Sequence, residues 1–388
     1  MLPSPTKCCG CSACYAVCPK RAITMKPDVE GFLQPVIDET LCVNCGQCEK
    51  VCPVLHPGQN RMPLAVYAVK AKDDELRMKS SSGGMFTLLA REILKQGGVV
   101  YGAGWEKPAW RVIHKSAENE EELDELRGSK YVQSDMGDTF RQVKAQLDSG
   151  RQVLFSGCPC QIAGLRLFLQ KPYNNLFCVD LICHGVPSPL VFDKCKNSIQ
   201  ADSVQGGEIK HIAFRQKNAF GWKRFSLSFA FANGCEHVQP LDQAPFLRGF
   251  LSELYNRLSC HQCPIRELRS GADITLADYW NVQQQFPVID DDRGVSLVLV
   301  NSSTGLEWFN NCSSGCEAFP STYQHARAVN PSLWRNVAPS SRRGKFFRRF
   351  RAHPERVHPI IYTCLRRPWW RICGHWGKDR LRKWGVVR

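Results

Sequence analysis

Two stretches of the chain carry the same arrangement of thiols. Cys8-x2-Cys11-x2-Cys14-x3-Cys18-Pro19 recurs as Cys42-x2-Cys45-x2-Cys48-x3-Cys52-Pro53. Thiolates are soft ligands, and these spacings let three sulfurs of one loop cap one face of an iron–sulfur cubane before the proline ends the loop. A pair of zinc sites is the alternative, but zinc usually takes separated Cys-x-x-Cys units. Between the runs, Ile23 to Asp38 alternates in polarity and turns at Pro27–Gly31, which predicts a small hairpin. Cys9 stands outside the repeat and reads as buried filler.

Residues 1–55 resemble the bacterial two-cluster ferredoxins. In that arrangement the fourth cysteine of each run ligates the other cluster. The expected ligands are Cys8, Cys11, Cys14 and Cys52 for one [4Fe–4S] cluster, and Cys42, Cys45, Cys48 and Cys18 for the second.

The remainder of the 388 residues must hold whatever this module exchanges electrons with. Nine of the 21 cysteines lie in the first 52 residues, and Lys7 is followed at once by the cluster with no apolar leader. Such a pattern points to metal, a reducing compartment and a cytoplasmic location rather than a secreted disulfide scaffold. Apolar residues make up 43% and charged residues 22%, which excludes a disordered or polytopic membrane chain. The net charge is +15, yet residues 339–388 hold 15 Lys+Arg and 2 Asp+Glu, so the tail carries +13 and everything before it only +2. A nucleic-acid-binding body is therefore not indicated.

Residues 55–63 hold two prolines and a glycine and read as a linker, which leaves the distance from module to body open. Beyond it, strand-like segments (Val66–Lys70, Val99–Gly102, Gln152–Phe155, Leu176–Cys183) alternate with helical ones (Gly83–Gln96, Asp138–Leu147, Gln161–Leu169). Strands at Ile209–Arg215, Phe225–Phe231, Ile274–Ala277 and Val295–Val300, with a helix near Pro245–Leu258, follow. The expected class is α+β or α/β: a two-cluster ferredoxin-like domain, a mixed α/β body with an antiparallel part in its second half, and a basic C-terminal extension. The expected regions are 1–55, 64–150, 151–320 and 321–388. Neither a GxGxxG nor a GxxxxGK[ST] fingerprint is present.

Four stretches have chemistry beyond plain structure. Ser80-Ser-Ser-Gly-Gly-Met precedes a helix and offers Ser81, Ser82, Gly83 and Gly84 to a phosphate, with an ordinary serine cap as the alternative. Arg127-Gly-Ser-Lys-Tyr mixes cations, hydroxyls and a ring, and contains Ser129, Lys130 and Tyr131. Gly157-Cys-Pro-Cys-Gln161 sits where a strand becomes a helix, and Cys183-His184 closes another strand, where open α/β sheets place ligands.

These stretches, with Ser259-Cys-His-Gln-Cys263, Gly271-Ala-Asp-Ile-Thr-Leu-Ala-Asp-Tyr-Trp280 and Phe214-Arg-Gln-Lys217, resemble the family of coenzyme F420 hydrogenase and dehydrogenase beta subunits over roughly residues 64–320. Plant 7-hydroxymethyl chlorophyll a reductase is related to that family. The resemblance implies FAD in the body, contacted by the serine–glycine loop and by Ser129, Lys130 and Tyr131. It further implies an iron–sulfur flavoprotein oxidoreductase passing electrons between the clusters and FAD, to or from an organic substrate that is F420-like or other. The alternative is a non-catalytic electron-transfer subunit of a larger redox complex. Where the family usually shows Gly-Thr-Pro-Cys-Gln, this chain has Gly157-Cys158-Pro159-Cys160-Gln161, so Cys158 is an additional thiol.

Cys160, Cys183, Cys260 and Cys263 are candidates for a third [4Fe–4S] cluster, with free buried thiols as the alternative. His184 is a candidate for orienting substrate or relaying a proton. Asp273 and Asp278 fit capping, hydrogen-bonding or flavin contact equally. Cys178, Cys195, Cys235, Cys312, Cys316, Cys364 and Cys373 read as packing. The tail, with Phe346, Phe347, Ile360, Ile361, Trp369, Trp370, Trp376 and Trp384 among its arginines, fits a membrane surface, an acidic partner or a packed extension. A redox protein or a small-molecule donor or acceptor is the expected partner of the clusters.

The cysteine module yields the first prediction. Anaerobically prepared protein should carry about eight irons from residues 1–55. Cys14→Ser should disturb one cluster and Cys48→Ser the other, as read by iron analysis and electron paramagnetic resonance; zinc in place of iron would refute the assignment.

Overall fold

The computed structural model describes residues 1–203 and 207–366. Trp369, Trp370, Trp376, Trp384 and Cys373 lie outside them. The first cysteine run winds into a short helix, Ala13–Val17, and the expected hairpin follows as β1 (Ile23–Pro27) and β2 (Leu33–Ile37), with Ile23 opposite Ile37. Asp28 shapes its turn, Oδ1 accepting from the backbone N–H of Glu30 at 2.9 Å and Phe32 at 3.0 Å.

The body is organised by eight strands of one mixed sheet: β3 (Ala65–Ala71), β4 (Val99–Glu106), β5 (Arg111–Ala117), β6 (Val153–Gly157), β7 (Leu176–Leu181) and three later ones. A separate antiparallel sheet is formed by β8 (Ile209–Gln216), β9 (Ser226–Phe231) and β10 (Glu236–Pro240). The chain then returns with β11 (Ile274–Asp278), β12 (Ser296–Val300) and β13 (Cys316–Pro320). The order across the large sheet is β13-β3-β12-β11-β7-β6-β4-β5. Its centre, β11-β7-β6-β4, is parallel, and both flanks are antiparallel.

The central strands read as unbroken apolar runs because helices cover both faces; every residue of β12 is buried. Strand β3 from the start of the body lies between β12 and β13 from its end, Val66 opposite Leu299 and Val69 opposite Ala318. Regions 64–150 and 151–320 therefore contribute strands to one sheet. Chain ends separated by more than 200 residues pair by register, which no local pattern encodes. The helix near Pro245 also ends earlier than expected, at Leu251, and a short 3-10 turn, Leu258–Gln262, carries the next cysteines.

The tail to residue 366 packs onto the body. Phe346, Phe347 and Phe350 of helix Arg343–Ala352, and Val357, Ile360, Ile361 and Cys364 of helix Val357–Leu365, join Phe192, Phe214, Phe246 and Tyr255 in one aromatic core. Arg348, Arg349 and Arg351 face outward. The apolar residues that a membrane-lying helix would need are inside. Among the described residues no helix is long and apolar enough to cross a membrane. Cys178, Cys195, Cys312 and Cys316 are likewise buried.

The linker does not hold the ferredoxin module at a distance. Cys11, Ala13, Ala16 and Val51 pack in one cluster with Ile162, Leu165 and Phe168 of the body. Gly164 makes this possible: a Cβ there would stand 3.0 Å from the Cys11 sulfur. Arg257, buried, donates from Nε to the Cys8 carbonyl at 2.7 Å, from Nη1 to Gln133 Oε1 at 2.9 Å and from Nη2 to the Leu33 carbonyl at 2.9 Å. Arg343 forks onto the Glu30 carboxylate, and Arg141 donates to the Ala16 and Tyr15 carbonyls at 3.0 and 2.9 Å.

Arg257→Ala should cost about 3 kcal/mol, because buried carbonyls lose a charged donor and a void replaces the guanidinium. The module should loosen first, seen as faster proteolysis within residues 53–64; unchanged proteolysis and melting would refute the docking role.

Candidate functional site

Three parallel strands end at one edge of the large sheet, and each delivers chemistry there. β6 runs into Cys158-Pro159-Cys160, β7 into Cys183-His184, and β11 into Asp278 and Trp280. The first turn is sharp because Pro159 opens helix Pro159–Leu169 and the Gln161 side chain folds back, Oε1 accepting from the Cys158 N–H at 2.8 Å.

On one side of this edge is a thiol-lined cavity of about 50 Å³. Cys160, Cys183, Cys260 and Cys263, the four body cysteines singled out in the sequence, all line it, and so does Cys9. The Cys9 thiol is in hydrogen-bonding contact with those of Cys11 and Cys160. Its only sequence signal is the doublet Cys8-Cys9, and its partner Cys160 is remote in the chain. Hydrogen bonding from the Cys158 thiol holds Cys183 down to about 7, while Cys158 is raised in return. Burial pushes Cys263 up to about 11.

In the ferredoxin module Cys14 lies near Cys8 and Cys52, and burial followed by mutual repulsion raises its thiol. Crowded thiols that resist ionisation by themselves suit a multivalent cationic centre. No group of three or more His, Cys, Asp or Glu side chains among the described residues is arranged around a single ion. At the far end of the module Cys45 is exposed, beside Leu41 and Val43, which are 50% and 58% exposed.

On the other side is a larger cavity of about 540 Å³, within the range of small-molecule and cofactor sites. Ser81, Ser82, Gly84, Ser129, Lys130, Tyr131 and His184 line it, as does Cys158, and Cys160 and Cys183 form the wall it shares with the thiol-lined cavity. Helix Met85–Lys95 begins at the lining of the larger cavity after Gly84, whose φ of 94° suits glycine. The Thr87 N–H meets the Gly84 carbonyl at 3.1 Å, which leaves the N–H groups of Met85 and Phe86 without a helical turn before them, as at any helix start. Ser81 Oγ accepts from the Ser129 N–H at 2.6 Å, tying the two loops together. Lys130 donates to the Glu125 and Arg127 carbonyls at 2.8 and 3.0 Å, and burial lowers its pKa to about 7.

Gly83 does not line the cavity. Its N–H donates to Ser296 Oγ at 3.0 Å, and a Cβ would stand 2.2 Å from the Val69 carbonyl oxygen. Its smallness serves the sheet behind the loop, so a bulky replacement there would disturb the sheet whatever the cavity holds.

Several cavity residues were not singled out in the sequence. Arg215 forks onto Asp278 at 2.8 and 2.9 Å, reaches the Tyr131 hydroxyl at 3.1 Å, and lies over the Phe225 ring. Its buried Nε has no partner. Trp222 donates to Asp278 Oδ1 at 2.8 Å and stacks on Trp280. Asp278 is thus a hydrogen-bonding hub at the cavity wall. Asp273 lies elsewhere, accepting from Arg166, the Cys178 N–H and Ser302. Asp180 borders both cavities; burial raises its carboxyl to about 7 against hydrogen bonds from Ser270 and Thr275. His184 Nε2 stands 2.5 Å from Glu253 Oε1 without a well-aligned hydrogen bond, and its ring meets Phe250 edge-on.

Size, mixed polarity, unpartnered helix N–H groups and the orphaned Arg215 Nε make the larger cavity a fit for a phosphate-bearing flavin. The thiol-lined one fits an iron–sulfur cluster by donor chemistry.

A 4Fe-4S dicluster domain matches residues 7–55. The N-terminal and C-terminal models of the coenzyme F420 hydrogenase/dehydrogenase beta subunit match residues 66–140 and 150–318. The coenzyme F420-dependent sulfite reductase of Methanocaldococcus jannaschii is 27% identical over 191 residues, 47% of this chain and 28% of that protein. A subunit of the F420H2 dehydrogenase of Methanosarcina mazei is 25% identical over 193 residues, 45% of this chain and 53% of that protein. The matches thus span about half or less of those relatives. A chain of the F420-reducing [NiFe] hydrogenase complex from Methanosarcina barkeri superposes with a TM-score of 0.49 at 19% identity, covering 71% of this chain and 89% of that one. The chain belongs to the family of coenzyme F420 hydrogenase/dehydrogenase beta subunits and carries an N-terminal 4Fe-4S dicluster domain.

Proposed function

We propose that this protein is an iron–sulfur flavoprotein oxidoreductase that moves electrons between [4Fe–4S] clusters and FAD, to or from an organic substrate. The observation behind the proposal is the shared wall: Cys160 and Cys183 border both the thiol-lined cavity and the larger one. A flavin suits such a junction because it exchanges hydride on one side and single electrons on the other. In this scheme Cys160, Cys183, Cys260 and Cys263 hold a third cluster. The serine loop and Lys130 hold the flavin phosphates, Arg215 and Trp280 set one wall, and His184, backed by Glu253, holds or moves a proton. An F420-like substrate accords with the names of the relatives in Methanocaldococcus and Methanosarcina.

A second reading is an electron-transfer subunit without turnover of its own. The exposed Cys45, flanked by Leu41 and Val43, favours a protein redox partner at that end. Turnover by the purified chain with an artificial electron donor separates the two readings.

Anaerobically purified protein should release stoichiometric FAD on denaturation. Lys130→Met keeps the stem and removes the amine, and should weaken flavin binding at least ~10-fold, the worth of one charge-assisted hydrogen bond, with iron content unchanged. Unaltered affinity would remove Lys130 from the site, and wild-type protein free of flavin would sink the proposal.

A further inference from the structure

Helix Arg343–Ala352 has two opposite faces. Arg343, Phe346, Phe347 and Phe350 recur at helical spacing and are buried. Lys345, Arg348, Arg349 and Ala352 recur at the same spacing on the other side and are exposed, with Arg351 beside them and Arg356 just beyond. The outer face is cationic and carries no carboxylate of its own. Residues 342–366 hold 8 Lys+Arg and one carboxylate, Glu355, which lies 3.4 Å from His353.

This arrangement works against the stability of the helix. Like charges at i, i+3 and i, i+4 repel, as Lys345 does with Arg348 and Arg349. Arg342, Arg343 and Lys345 stand at the positive end of the helix dipole, with no acidic residue in the first turn. Elsewhere exposed cations meet carboxylates, as in Lys79–Glu75, Arg91–Glu120 and Arg224–Asp242. Among the described Lys and Arg side chains from 342 to 366 only Arg343 is ion-paired, to Glu30 on the buried side. An external negative charge would relieve the repulsion. Residues 367–388 do not supply it, since they hold 7 Lys+Arg and 1 Asp+Glu. A second copy offers no matching field either, because residues 1–338 carry a net of only +2.

The face also lacks the apolar centre on which protein interfaces are built. Within the described residues from 342 to 366 the one exposed large hydrophobic side chain is Tyr362. Long cationic side chains without a fixed register suit a plane of dispersed negative charge. The sequence then adds Trp369, Trp370, Trp376 and Trp384, a residue type that settles at headgroup level.

We propose that the outward face of helix Arg343–Ala352, continued by Arg356, docks the protein on an anionic lipid surface. Charge does the binding, and the helix does not insert: Phe346, Phe347 and Phe350 stay in the aromatic core with Phe192 and Phe246. None of these cations lines either cavity, so docking and redox chemistry are separable.

The test mixes the full chain with vesicles of phosphatidylcholine, alone or with phosphatidylglycerol, and reads binding by flotation. Wild type should bind the anionic vesicles only and be released as salt screens the charges. Arg348→Gln/Arg349→Gln/Arg351→Gln should weaken binding about 100-fold, the worth of three cations near such a surface. The triple Arg→Lys variant at the same positions keeps the charge and should keep the binding. If the glutamine variant fails to fold, Lys345→Gln/Arg356→Gln decides, with an expected weakening of about 30-fold. No binding to anionic vesicles, equal binding to neutral ones, unaltered affinity of the glutamine variants or loss in the lysine variant each overturn the assignment. Tighter binding to poly-L-glutamate than to anionic vesicles at equal charge overturns it in favour of an acidic protein.

Discussion

The buried guanidinium of Arg257 is the point on which the architecture turns. A charge taken out of water must be fully met by acceptors, and here these are the Cys8 carbonyl, the Leu33 carbonyl and the Gln133 amide oxygen. The first two belong to the ferredoxin module and the third to a body loop bordering the large cavity. Arg257 itself caps the turn that carries Cys260 and Cys263. One side chain therefore fixes three segments relative to each other, and it places a positive charge beside Cys8 and Cys9, opposing the burial that raises the Cys8 thiol. Neither van der Waals packing nor the linker would set the separation of the thiol groups as closely.

The sheet supplies the other constraint. Parallel strands end together, so their terminal residues are neighbours although they come from distant parts of the chain. β6, β7 and β11 thus bring Cys160, Cys183 and Asp278 to one edge. The antiparallel flanks have a different task. β12 follows the Asp290–Arg293 stretch, and its neighbour Gly294 leaves no room for a Cβ beside Ser82, which holds the serine loop against the sheet. Arg77, forked onto Asp291 and donating to the Gly294 carbonyl at 2.8 Å, fastens the same corner. The serine loop is therefore carried by rigid elements on both sides.

What was legible in the sequence had local causes. The cysteine runs, the Asp28 hairpin, the apolar strands β6, β7 and β12 and the helix after Gly84 all follow from spacing, period or turn chemistry within a few residues. The seven expected flavin contacts and four body thiols gather around two adjoining cavities, except Gly83, whose smallness answers to Val69 rather than to a ligand. Illegible features depend on partners far along the chain: Cys9 with Cys160, Arg257 with Leu33, Arg215 with Asp278. The packing of helix Arg343–Ala352 was not legible from net charge counted along the chain, because Phe346, Phe347 and Phe350 share one buried face of it. Strand β3 between β12 and β13 shows the same limit, since register between chain ends has no local signature.

The two clamps on the ferredoxin module lie late in the chain, Arg257 past its middle and Arg343 near its end. A ribosome releases the module long before either clamp exists. The order of residues thus leaves the first 55 without either contact until the body has been made and Arg343 can meet Glu30. A circularly permuted chain with the same contacts would not keep that order.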